Sequence, residues 1–501
     1  MFQVLQKKEC IFLSTLFWYI LKTSFIVYFI FFFSLTGISQ TYEKLYKTQF
    51  DDISEDAIEL PDKSIIISVT SGDFYQANYQ AYLYKLSYAG LLIDSTEINI
   101  PEYYNLKGID NIFKISDTSL LTLCICQNIF NDSLYVLITQ FNFELKTLFS
   151  SLTNFSVPFN YSFTNHILNS ENNLVSIGTE YSNYDHFIYE YDINGNLINH
   201  NLVIDPAIQT IASAIMDIEN LGKYHLFLFF HPQDFLIINK ETLEIDTILD
   251  YPSTFSPWDI HSSLNDSTYL TIGRNYIGNG IKVPAFLEMD NMGNVLNMHS
   301  YTANPDTNSG NIDKSLDIFN DKIFLVAAYN FLVNASYPFV QQQQWIWLNR
   351  INQDFSVSWQ RFYKGEVNYM PYKILATSDG GALILSTKYD WNDSIPFQRD
   401  VHILKVDSTG WYEGLQTGTT EFDKPKQILV YPNPVKDKVK FVLGLYDNLE
   451  LSIYNSNGQR VIRQKLPYSQ TLNMSHFPKG LYVYILRGKN GFIEKGKFIK
   501  H

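Results

Sequence analysis

One pattern constrains this chain more than any other: a unit recurring about every fifty residues between positions 41 and 412. Its clearest copy reads ILATSDGGALILSTKYDWNDSIPFQRDVHILKVDSTGWYEG. It runs from an apolar strand through a polar turn, a second strand and a variable loop to a third strand ending in Asp-x-x-Gly. Earlier stretches repeat the pattern, such as NSENNLVSIGTEYS leading to HFIYEYDINGNLINH and SLNDSTYLTIGRNY leading to AFLEMDNMGNVLNM, and the copies number seven. Short runs of Ile, Val, Leu, Phe and Tyr bounded by Asn, Asp, Gly and Ser are the composition of hairpins. A further strand after each Asp-x-x-Gly turn brings the unit to about four strands. Such a unit buries both faces only against copies of itself, which a closed ring achieves. The expected fold is therefore all-β, with a β-propeller of about seven blades over residues 41–415. The short, weakly marked fourth unit leaves six or eight as alternative counts.

Ring closure follows from the phase of the repeat. The stretch VSWQRFYKG at 357–365 looks like an outer strand, and TYEKLYKTQ at 41–49 looks like its counterpart, whereas the last unit ends without one. An exposed last edge is avoided in natural sheets. Tyr42–Thr48 is therefore expected to pair with Val401–Val406, with Tyr42, Leu45 or Tyr46 turned toward the neighbouring blade. Aromatics at 16% fit a strand-rich body, and charged residues at 18% are too sparse for coiled coils. Cys124 and Cys126 lie two apart on one strand and should share a buried, reduced face; no distant Cys or His pair completes a zinc pattern. The Asp379-Gly380-Gly381 turn and Lys405-x-Asp407-x-x-Gly410 resemble the propeller-like repeats common in secreted proteins of Bacteroidota. Such a fold implies little about function by itself.

The two ends differ from the body. Lys7, Lys8 and Lys22 precede the apolar run Phe25–Leu35, and the small residues Gly37 and Ser39 follow. That arrangement predicts a secretory signal peptide over residues 1–40, cleaved after Ser39 or Gln40. A retained anchor is the alternative, though each apolar run is shorter than the ~20 residues that span a bilayer. At the other end, residues 416–427 read as a polar linker and residues 428–501 as a small Ig-like β-sandwich with Asn-Gly and Lys-Gly turns. From Glu421 onward 14 Lys/Arg face 6 Asp/Glu, a net of +8, so the preceding 420 residues carry −22. An acidic body repels polyanions, and no nucleic-acid partner is expected.

Three blocks occur in order in the tail. They are Tyr431-Pro432-Asn433-Pro434, the central LSIYNSNGQRV containing Gly458, and Phe477-Pro478-Lys479-Gly480-Leu481-Tyr482 followed by Gly496-Lys497-Phe498-Ile499. Together they closely resemble the type A C-terminal sorting domain of the type IX secretion system. The resemblance implies inner-membrane passage by the signal peptide, transit through the periplasm and recognition of the folded tail by the outer-membrane machinery. It also implies tail removal and then release or anchoring on surface lipopolysaccharide. The residues expected to carry the sorting signal are Tyr431, Pro432, Asn433, Pro434, Gly458, Gly480, Tyr482 and Lys497.

Chemistry in the body is harder to find. No Gly-x-Ser-x-Gly elbow, His-Glu-x-x-His helix or phosphate loop occurs. The glycines in Gly278–Val283 read as a turn, Asp192-x-Asn-Gly-Asn reads as a hairpin rather than a calcium loop, and His225 and His231 read as packed or rim residues. No catalytic residue, metal ligand or cofactor is expected. The favoured function is a secreted or cell-surface binding module for an unidentified glycan or protein, using loop aromatics such as Tyr276, Tyr337, Trp345 and Trp391. The alternative is a secreted hydrolase with its carboxylates converging at the central channel.

Overall fold

The computed structural model describes residues 40–501, apart from 74–77, 103, 132, 155–160, 181–185, 204–210, 230–233, 263–266, 278–280, 304–306, 308, 311–313, 332–338, 340, 364, 394, 396, 413–428, 432, 443–448, 468–469 and 489–492. The leader, the linker, Tyr337 and His231 thus lie outside the described residues. The chain divides into two units, Met1–Gln416 and Thr417–His501. Apart from one 3-10 turn, Glu219–Leu221, the described secondary structure is all strand.

The first unit holds seven antiparallel sheets. In chain order, their second strands are Ile65–Asp73, Ser119–Asn128, Leu174–Glu180, Lys223–Phe229, Thr268–Tyr276, Lys322–Tyr329 and Ala382–Tyr389. Each of these pairs on one side with the strand before it and on the other with the strand after it. First strands of successive sheets neighbour one another, down to Asn368–Ala376 of the seventh sheet against Ala57–Glu59 of the first, and the fifth and sixth sheets meet through Lys282–Asp290 and Ser309–Gly310. The sheets therefore follow one another around a closed cycle, with first strands inside and fourth strands outside. This is a β-propeller.

Burial explains the apolar runs. Ile66 and Leu83 of the first sheet pack against Ile109 and Leu137 of the second, whereas Ile65 and Ile67 pack against Leu383 and Ile403 of the seventh. Successive side chains of one strand point to opposite faces, so a strand buried on both sides must be apolar throughout. Cys124 and Cys126 are buried on the face toward the first sheet, and neither is in a disulfide. Outer strands such as Leu92–Glu97 bury little.

Closure is made by the amino-terminal strand. Tyr42–Tyr46 pairs antiparallel with Val401–Lys405, from Tyr42 opposite Lys405 to Tyr46 opposite Val401. Tyr42 and Tyr46 face the first sheet, with Tyr42 seated among Ile65, Ile67 and Leu86. Leu45 does not: alternation places it with Glu43 on the outward side, where it is exposed. Of the three residues nominated for that face, only the two tyrosines serve.

The turn that follows the third strand recurs in each of the seven sheets, with one left-handed residue. The odd-numbered sheets use Gly90, Gly195, Gly293 and Gly410; the even-numbered ones use Leu145, Leu243 and Phe355, all at positive φ. A side-chain oxygen of Asn142, Asp192 or Asp290 accepts the backbone N–H groups two and four residues on, which holds the turn. The left-handed residue meets the preceding sheet. Where it is leucine it fills that seam, as Leu243 does among Val203 and Ile215. Where it is glycine, the neighbour's side chain occupies the space: the Tyr42 ring lies where a Cβ on Gly90 would sit.

In the second unit, Leu429–Tyr431, Lys438–Val442 and Gln470–Asn473 form one sheet, and Leu449–Tyr454, Arg460–Leu466, Gly480–Arg487 and Ile493–Lys500 form another. Val439 and Phe441 of the first share a core with Leu451, Tyr484 and Phe498 of the second. The two sheets therefore pack face to face.

Candidate functional site

Most of the nominated tail residues build the tail itself. The Asn433 side chain accepts the backbone N–H of Ile499 at 3.0 Å, and Val435 donates to and accepts from the last residues, Ile499 and His501. Asn433 and Val435 thus lie along the final strand and tie the start of the unit to its end. Gly458 takes φ +73° in the turn held by the Asn455 side chain, and Gly480 takes φ +153° at a strand start. A Cβ at either position would meet nothing within 4 Å, so backbone conformation is what asks for glycine there. Tyr482 is buried, stacks on Phe498 at 5.6 Å and donates its hydroxyl to the Pro478 carbonyl at 2.8 Å. Tyr431 lies in the strand paired with Lys440, and Pro432 is outside the described residues. Lys497 alone among them is exposed on a strand face. It lies opposite Val483, in the neighbourhood of exposed Leu481 and Ile499. That outward apolar stripe escapes sequence reading, because alternation marks two faces without saying which is covered.

In the body, one arrangement has the members of a catalytic triad. His402 Nδ1 lies 2.6 Å from Ser386 Oγ, and its Nε2 lies 2.9 Å from Glu43 Oε1. Ser386 is 0% exposed and sits directly opposite His402 in the sheet, so a substrate carbonyl cannot reach it. The set crosses the three strands that close the ring, and its hydrogen bond from His402 holds the Glu43 carboxyl below its ordinary range.

Around the channel, Asp56 of the first sheet meets Lys373 of the seventh at 2.9 Å and Lys314 of the sixth at 3.5 Å, and accepts the N–H of Ile112 in the second. Burial works to raise the Asp56 carboxyl, but the two ammonium groups outweigh it and hold it low. Burial works against the Lys373 ammonium, yet Asp56 and Asp317 raise its pKa. An acid held low and an ammonium held high are poor proton carriers near neutrality. A third cluster joins the first and seventh sheets. Asp51 takes a bidentate guanidinium from buried Arg399 at 2.5 and 2.8 Å, while burial pushes the Asp400 carboxyl up to about 6 and also raises Asp52.

A cleft of about 580 Å³ opens between the third and fourth sheets. The Asn169–Asn173 turn, the outer strand at Ile198 and Asn199, and the Lys240–Glu241 turn form its walls. Glu190 projects from a third strand, and Lys240 pairs with Asp217 at 3.0 Å and lies over the Tyr224 ring. None of these residues stands out in the sequence, where they read as turn formers.

The loop aromatics fare differently. Trp345 is in a strand and stacks on Tyr329 at 5.5 Å within the seam between the fifth and sixth sheets, so it is a packing residue. Tyr276 ends a strand beneath Lys282, and Trp391 sits beside Tyr389. His225 is fully buried, with Nδ1 2.6 Å from Tyr269 Oη; burial lowers its pKa to about 4.

A closed propeller is thus followed by a small two-sheet unit in which Asn433 and Val435 are tied to the last strand. Residues 429–501 match the family described as the secretion system C-terminal sorting domain, and they are such a domain of the type IX system. The protein is accordingly exported, to the cell surface or beyond it. A funoran endo-beta-hydrolase of Wenyingzhuangia aestuarii is 35% identical over 77 residues, which is 15% of this chain and 10% of that protein. Among solved structures, the β-propeller domain of the trilobed protease from Pyrococcus furiosus is similar with TM-score 0.39 and 10% identity, over 69% of this chain and 98% of that one. The WD40 domain of SCAP from fission yeast is similar with TM-score 0.37 and 10% identity, over 74% and 98%.

Proposed function

We propose that the propeller is the cargo of this export route and acts as an extracellular binding module for a protein or glycan. In this reading residues 1–40 are a cleaved signal peptide, residues 41–415 the binding body, 416–427 a linker, and 428–501 the address read by the outer-membrane machinery. Anchoring on surface lipopolysaccharide or release then follows. The observation that carries the binding role is the cleft between the third and fourth sheets, whose volume lies in the range of ligand sites. Lys497, Leu481 and Ile499 are the tail residues best placed for recognition, since the opposite face is consumed by the core. A hydrolase is the second reading because Asp400 is poised near 6 beside a second raised carboxyl, Asp52.

Deleting Tyr431–His501 should trap the protein in the periplasm; undiminished surface and culture-fluid protein would sink the sorting assignment. The secreted chain on glycan and peptide arrays, with a parallel hydrolase panel, tests the body. Turnover abolished by Asp400→Asn would replace the binding reading with the enzymatic one.

A further inference from the structure

We infer that the cleft between the third and fourth sheets recognises a cationic side chain, a lysine or arginine, of a basic peptide. The inference rests on the binding reading above and names the ligand chemistry of that same site. Its anchor is Glu190, which is 5% exposed and lines the cleft. The amides of Asn169 and Asn173 both donate to its Oε1, each at 2.9 Å, which fixes the carboxylate in one orientation. Its Oε2 accepts no hydrogen bond from the described residues. That oxygen keeps solvent contact at the cleft, where it can accept a charge-assisted hydrogen bond from a ligand without displacing a protein donor.

Charge points the same way. The two lysines of the cleft are already matched, Lys240 by Asp217 and Lys223 by Asp246. Glu171, Glu190 and Glu241 line the same space. Glu171 is only loosely met by Lys240 at 3.6 Å, and Glu241 has no ion pair among the described residues. Two ammonium groups against five carboxylates leave a local charge of −3, and residues 41–420 as a whole carry −24. Low-dielectric walls concentrate such a field and draw in a cation.

The shape selects among cations. Exposed Ile198 and Leu221 border the cleft and offer contact to a methylene stem. Among the described residues no aromatic side chain lines it, and the ring close by, Tyr224, is covered by Lys240. A sugar ring would therefore lack a flat platform, which disfavours an amino sugar relative to an extended peptide side chain.

The test is calorimetric titration of the full secreted chain with an end-capped Gly-Lys-Gly-Lys-Gly peptide and its arginine counterpart, at low and moderate salt. A chitosan oligomer and a Gly-Glu-Gly-Glu-Gly peptide serve as comparators. The expected result is binding of the basic peptides only, weakened at least tenfold by Glu190→Gln, which preserves the shape and the amide contacts. Glu171→Gln with Glu241→Gln, both at exposed positions, should weaken it severalfold with unchanged thermal unfolding. Absence of basic-peptide binding, binding indifferent to both sets of variants, or binding of the chitosan oligomer alone would overturn the inference. Binding of another ligand on the arrays that these variants leave untouched would overturn the cleft assignment while leaving the body a binding module.

Discussion

The seam between the seventh and first sheets and the seam between the third and fourth solve the same packing problem by different means. At the latter, the chain passes directly from one sheet to the next, and the interior is apolar: Val175, Ile188, Ile215, Leu226, Leu236 and the left-handed Leu243. At the former, the partners lie about 350 residues apart in sequence. An apolar core is present there too, but directional groups are added. These are Asp51 with Arg399 and Glu59 accepting from Ser378 across the seam, and, within the seventh sheet, Glu43 with His402 and Lys47 with Asp393, which hold the closing strand. A covalent crossover leaves little choice of neighbour. A seam closed by a distant strand must also exclude slipped registers, and apolar contact alone discriminates these poorly. Charge crosses the third–fourth seam as well, where Lys240 meets Glu171 at 3.6 Å and Asp217 accepts from Ser170 near the surface, but the seam closed by a distant strand adds the buried pair of Asp51 with Arg399.

That contrast can be broken most severely by removing residues 41–48. The strand Arg399–Val406 would become an open edge and the Tyr42 side chain would leave the core. Cooperative thermal unfolding of the body should then be lost or fall by well over ~10 °C. A melting curve matching the intact protein would mean that the closing strand is dispensable. Arg399→Met comes next: it leaves Asp51 buried without its partner and should cost about 3–5 kcal/mol in denaturant unfolding. Adding Asp51→Leu should recover most of that loss, since two apolar groups can replace a buried pair. Failure of the double variant to recover would show that the pair contributes more than register.

On the apolar side of the comparison, Leu243→Ala should cost about 2–4 kcal/mol by opening a cavity in the seam between the third and fourth sheets. Leu243→Gly removes the same packing but relieves the left-handed backbone strain, so it should be the milder of the two by about 1 kcal/mol. Denaturant unfolding of the two variants side by side checks both the cost and the order.

Acid sharpens the contrast further. Burial raises the Asp379 carboxyl, but Lys405, at 2.8 Å, outweighs it and holds the group well below its usual value. A depressed carboxyl stabilises above its unfolded pKa, about 4, and that contribution is lost as pH falls below it. The stability gap between the intact protein and Asp379→Asn should accordingly be widest at neutral pH and shrink below about pH 4. Asp400 has the opposite sign. Its folded pKa of about 6 exceeds the unfolded value, so its ionisation destabilises increasingly as pH rises from about 4 to 6. Asp400→Asn should raise the melting temperature by a few degrees near neutral pH and leave it unchanged at about pH 4, the smallest effect of the set.

Much of this architecture is legible because it is periodic. The apolar runs locate the strands, the Asp-x-x-Gly turns set their phase, and the surplus strand at Tyr42 announces how the ring closes. The alternation of left-handed Gly with Leu or Phe is equally present in the sequence. It escapes reading because Asn142-x-x-Leu145 does not look like a turn until the leucine is seen filling the seam with the preceding sheet. The candidate sites are scarcely legible at all. Glu190, Asn169 and Lys240 look like ordinary strand and turn residues, and Trp345 looks like a binding aromatic until Tyr329 is found stacked on it.

The sequence by itself determined strand type, repeat phase and the export address, because each depends on residues within one hairpin or one short block. Tertiary structure alone decided the facing of Leu45, the meeting of Ser386, His402 and Glu43, and the burial of Glu190 beside an open cleft. Those properties depend on which surfaces lie together after chain segments far apart in sequence have packed. Local periodicity carries no record of that distance.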